Sequence, residues 1–217
     1  MTKENIGENK LKKNTKKQNK TKRNTKKDTK PKTPSDVNLL DNRIIRLTKS
    51  VDTETSETIV EQLLKLDASK SKKDIIFYIN SPGGSVSDGL AIYDAMQIIK
   101  SDVKTICLGH CCSMAAILLS GGTKGKRYIT PNSEVMIHEI FTCNAGKMGD
   151  VKVSFEHSNE VNERLIKILA DNTGKSLDQI RQDIQLKNKW FNADEALEYG
   201  LVDKLLTKSV LWYLNQF

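Results

Sequence analysis

Three short segments carry residue types that could together hydrolyse an acyl bond. In GHCCSMAA, residues 109–116, a serine stands on a turn of small residues ahead of an apolar run. In MIHE, residues 136–139, a histidine ends an apolar stretch about 25 residues further on. A serine hydroxyl is a poor nucleophile until a base takes its proton, so Ser113 and His138 form the minimum pair for serine-type hydrolysis. The third segment, IIFYINSPGGSVSDG at 75–89, reads as a strand followed by a Gly-Gly turn. Such a turn can aim bare backbone N–H groups at an oxyanion. Each signal alone has a plainer reading. Ser113 could be only a helix N-cap, a strand-end histidine could be structural, and Cys112 is a rival nucleophile. His110 sits in a turn and His157 mid-helix, and neither follows a strand that could aim it at Ser113.

The elements that must position these residues are legible from hydropathic period. Strands are expected at 43–47, 75–79, 103–108, 127–129 and 135–137, and the runs at 75–79 and 103–108 are continuously apolar, as strands buried on both faces are. Helices are expected at 57–66, 87–99, from Ser113 to a Gly121-Gly122 stop, at 151–172 before Gly174, and at 176–184. A last helix opens at Asn192, where Glu195 completes a capping box, and ends at Gly200. Strands alternating with helices every 20–30 residues predict an α/β fold of parallel βαβ units.

Composition narrows the class. The chain has 217 residues and a formal net charge of +8. Residues 1–34 hold 13 of the 35 basic side chains and 3 of the 27 acidic ones, so this leader is +10 and the remainder −2. Its few apolar side chains cannot offset the entropy of ordering, and the expectation is a disordered basic tail over 1–36. It has no apolar core of a secretory signal and no amphipathic pattern of a transit peptide. Plain charge could draw acidic partners, but nucleic acid is not the expected one. No run of 18 apolar residues predicts a membrane span. The four cysteines, Cys107, Cys111, Cys112 and Cys143, make neither a disulfide framework nor a zinc pair and read as thiols in a reducing compartment.

From about residue 39 to 206 the chain resembles the proteolytic subunit of the ATP-dependent Clp protease, a compartmentalised serine peptidase. The resemblance rests on IIFYINSPGGSV, IYDAMQIIKSDVKTICLGHCCSMAAILLSGGTKGKRYITPNSEVMIHE and FNADEALEYGLVD. It implies a ClpP/crotonase-like spiral of βαβ units with a protruding helix–strand handle, over a peptidase domain at 37–217. It implies Ser113 as nucleophile, His138 as base, and the N–H groups of Gly84 and Met114 as oxyanion hole. No cofactor or metal is implied. The implied partners are unfolded polypeptides, an AAA+ unfoldase, and further copies in stacked heptameric rings, with or without a paralogue. A cytoplasmic location is expected, with a plastid or other organelle as the alternative.

The chain departs from the family pattern in three places. Counting back from FNADEALEYG puts Asn188 where the family has the triad aspartate, and Asp183 is the alternative if the loop shifts. An amide in place of the triad carboxylate costs about 10⁴ in kcat. After His138, the family's Pro- and Gly-rich stretch, which pairs with the substrate backbone, reads here EIFTCNAGKMG. The basic tail replaces the short segment that lines the family's axial pore. Two rival readings follow: a weak or inactive structural subunit of a mixed ring, favoured by Asn188, and an acyl-CoA enzyme of the crotonase class, disfavoured by the Ser113/His138 pair.

Overall fold

Runs of two to ten residues, most of them apolar, line up as one seven-stranded sheet, in a computed structural model that describes residues 38–207 except 70 and 72. Its strands are β1 (Ile44–Leu47), β2 (Ile75–Ser81), β3 (Val103–Cys112), β4 (Arg127–Ile129), β5 (Glu134–Ile137), β6 (Lys189–Phe191) and β7 (Lys204–Leu205). The order is β1-β2-β3-β4-β7, all parallel, while β5 pairs with both β3 and β6 and only the β5–β6 pair is antiparallel. Six helices connect them: α1 (Thr53–Ala68), α2 (Val86–Ile98), α3 (Met114–Ser120), α4 (Met148–Thr173), α5 (Leu177–Ile184) and α6 (Ala193–Tyr199). This is the α/β class expected from the sequence. The expected basic tail at 1–36 lies outside the described residues.

The strand that matters most is β3, because it changes neighbours half-way. Thr105 to Cys107 pair with β4, whereas His110 to Cys112 pair with β5. Gly109, at φ 103°, makes the transition between them. A Cβ there would meet Asn80 Oδ1 at 2.8 Å, so a side chain is excluded by space as well as by backbone. The strand therefore runs four residues past the expected end at Leu108 and delivers Cys112 to the edge of the site. β5 lies beside that second half and delivers His138 to the same end.

Other boundaries shift for local reasons. α1 starts at Thr53 rather than Glu57 because Asp52 caps it, its Oδ1 accepting from the Thr55 N–H at 2.8 Å. Arg43, expected as the first strand residue, is instead left-handed at φ 59° and buried. Its guanidinium donates to Leu66 O, Ser69 Oγ, Asp74 O and Ser101 Oγ, which ties the start of β1 to α1 and to the connectors before β2 and β3. The Asn192–Glu195 capping box forms in both directions. Strands β6 and β7 are too short to have shown a period.

Helix α3 is the centre of the molecule. All seven of its residues are buried, between the sheet and helices α2 and α4. A helix that is apolar all round belongs inside a fold. Helix α4 is its opposite: Leu165, Ile166, Leu169 and Ala170 are buried, but the first half is exposed, Met148 and Val153 included. Of the expected handle, the helix is present. The segment 138–147 before it forms no strand within one chain.

Candidate active site

Ser113 joins β3 to α3 with φ 55° and ψ −124°. This left-handed region costs a non-glycine residue on the order of 1–3 kcal/mol and persists only where the surroundings enforce it. Here they do. The Ser113 N–H donates to Met136 O at 2.9 Å, and Ser113 O accepts from Ala116 and Ile117 to open the helix. Its side chain caps nothing, so the N-cap reading falls. The freed Oγ lies 2.9 Å from His138 Nε2. The bond from Ser113 N–H to Met136 also pins the serine's turn to the strand that carries the histidine, two residues before it.

The Gly-Gly turn closes on the same point. A Cβ on Gly83 (φ 88°) would meet Cys112 O at 2.5 Å, Ser113 Cβ at 2.8 Å and Met114 N at 2.9 Å. The Ser81 hydroxyl holds the turn, accepting from Gly83 N–H and donating to Lys49 O. Val51 lies alongside: its N–H donates to Gly83 O, and its C=O accepts from Ser85 N–H. The Gly84 N–H is left out of that pairing, and no described residue accepts from it or from the Met114 N–H. Both residues line one cavity with Ser113, and Met114 opens a helix, whose dipole favours negative charge.

A cavity of about 300 Å³ opens beside the pair. Its walls are chiefly apolar, with Met114, Ile117, Ile140, Leu165 and Ile166 among them, and Gly84, Ser113 and His138 lie at its polar end. Asn162 adds one amide from α4. Cys112, the rival nucleophile, is buried, and burial pushes its thiol pKa up, away from thiolate. His157 is exposed on α4, and His110 lies at the β3 bulge with its N–H on Asn80.

The candidate third members are elsewhere. Asn188 is exposed in the connector before β6, and its side chain bonds no described residue, His138 included. Asp183 is buried at the end of α5 and fully engaged. Lys189 Nζ donates to one of its oxygens at 2.6 Å, and Tyr199 OH (2.6 Å) and Gln179 Nε2 (3.0 Å) donate to the other. Burial alone would raise the Asp183 pKa, but these donors outweigh it and hold the carboxyl below its usual value. Asp183 braces the base of the Asn188 connector and bonds no atom of His138. Among the described residues no three His, Cys, Asp or Glu side chains converge as metal ligands, and no helix is long and apolar enough to cross a membrane.

A strained serine at a strand–helix turn, bonded to a strand-end histidine and packed on a Gly-Gly turn, has the geometry that serine hydrolysis calls for, on a mostly parallel α/β fold. The Clp protease family model matches residues 13–209, nearly the whole sequence, and the chain belongs to the Clp protease family. That membership makes it a ClpP-like peptidase, of a kind that forms oligomeric rings and acts on proteins. Sequence reasoning missed Asn162, which sits among charged neighbours in α4. Its only sequence signal is the i,i+4 spacing from Ser158.

Proposed function

We propose that the chain is a serine endopeptidase subunit of a Clp-type compartmentalised protease. Ser113 Oγ attacks the scissile carbonyl while His138 Nε2 takes its proton and then returns it to the leaving amine. The Gly84 and Met114 N–H groups receive the oxyanion; losing one such donor typically costs about 100- to 1000-fold in kcat. The single observation that carries this reading is the 2.9 Å Ser113–His138 contact at a strained turn. The apolar cavity supports cleavage after large apolar side chains. Stacked heptameric rings fed with unfolded polypeptide by an AAA+ unfoldase are the family-level part of the proposal. The test is a fluorophosphonate label on the purified full-length chain. Covalent mass on Ser113, absent in Ser113→Ala, supports the reading; an unlabelled wild type counts against it.

A second reading is favoured by Asn188, which brings no charge to His138 and is exposed. On this reading the chain is a catalytically weak or inactive member of a mixed ring. Labelling that appears only when a paralogous subunit is present would favour it.

A further inference from the structure

Helix α4 clasps the segment that follows the base. Residues 139–145 run without turn or bend. The Ile140 N–H donates to Asn162 Oδ1 at 3.1 Å, and Thr142 Oγ1 lies 3.3 Å from Ser158 Oγ. Ser158 and Asn162 are four residues apart, so they stand one above the other on a single face of the helix. The Ile140 side chain packs on the core. The segment is thus tied to the body at two points by side chains rather than by another strand.

The Ile140 N–H is engaged by α4, while the backbone groups of its neighbours Glu139 and Phe141 are not. No described residue pairs with them, and both residues line the cavity that holds Ser113 and His138. Asparagine is also a middling helix former, and Asn162 occupies the middle of a 26-residue helix.

We propose that Asn162 is a positioning residue. It stands in for a neighbouring strand on the inner edge of residues 139–142 and so presents their outer edge to the backbone of an extended apolar peptide. Ser158 is the second, weaker tie. The inference rests on the peptidase reading for its occupant, but it concerns peptide binding and not the chemical step.

The test uses the full-length chain carrying Ser113→Ala, in which nothing is turned over. Fluorescence anisotropy of a fluorescein-labelled apolar hexapeptide gives Kd. Asn162→Ala weakens binding about 5- to 10-fold, the size of one lost hydrogen bond. Asn162→Asp, which keeps an acceptor for the Ile140 N–H, restores Kd to within about twofold, and Ser158→Ala costs about twofold. An unchanged Kd for Asn162→Ala, equal losses for Ala and Asp, or no peptide binding at all overturns the proposal. Absence of fluorophosphonate labelling in the wild-type chain would instead strike the peptidase reading, since the anisotropy series needs no nucleophile.

Discussion

Ser113 holds a backbone conformation that its own chemistry does not prefer, and the Met136 and Gly83 contacts enforce it. Ser113→Ala keeps those contacts, so labelling and peptide turnover disappear while the melting temperature stays within about 2 °C; retained turnover would pass the nucleophile role to another residue. Asn188→Asp tests the third position. If the connector reaches His138 in the assembled ring, a carboxylate there supports the imidazolium, and kcat for a short fluorogenic peptide rises about tenfold or more. An unchanged kcat would mean that position 188 does not act on His138. Asp183 belongs to stability. Its carboxyl is held below the unfolded value of about 3.9, so its contribution is fully present above that pH and fades as pH falls through the lower folded value. Asp183→Ala removes one partner of a mostly buried ion pair, a loss of about 3 kcal/mol. The melting temperature at pH 7 then drops by roughly 6–12 °C, and the fall in stability below pH 4 becomes shallower. A neutral-pH melting temperature equal to wild type would show that Lys189 and Tyr199 do not depend on it.

The elements bring the site together by close approach of backbone. Gly83→Ala would push a methyl into Cys112 O and Ser113 Cβ. Turnover is expected to fall by at least about 100-fold, the cost of a displaced oxyanion donor, and circular dichroism would keep the native helical signal. A variant with wild-type turnover would mean that the turn can retreat without moving the amides. Much of this was legible beforehand. The apolar runs at 75–79 and 103–108, the helix stops at Gly174 and Gly200, and the Asn192–Glu195 box are local signals, and local forces decide them. The Ser113/His138 pairing was readable only because two strand ends and a family pattern pointed the same way. The change of partner along β3 was not readable, because it depends on Ser133 and Asn80, from distant parts of the chain, accepting from the N–H groups of Gly109 and His110. The same holds for Arg43, whose acceptors come from the end of α1 and from the connectors before β2 and β3, and for Asp183, whose partners Lys189 and Tyr199 lie in later elements.

At the scale of the whole molecule, the apolar surface is unevenly spent. The core is closed around α3, yet Phe141, Met148, Val153 and Phe155 stand exposed around the start of α4. Together with the ring-forming family this predicts that Val153→Glu combined with Phe155→Glu shifts light-scattering mass toward smaller species at micromolar concentration. An unchanged particle mass would move the contact between subunits to another face.

The burial of α3 has a kinetic consequence. Ser113 leads directly into the fully buried α3, whereas His138 is followed by a segment held by two side-chain hydrogen bonds. Local openings span free energies from near zero to the global value. Amide exchange at Leu118 and Leu119 should therefore require complete unfolding, and exchange from Glu139 to Ala145 should proceed through small fluctuations. Inactivation by urea would then precede the loss of helical signal, with the histidine side of the cleft failing while the serine side is still intact. Coincident loss of turnover and of helicity would show instead that the two halves of the cleft melt as one cooperative unit.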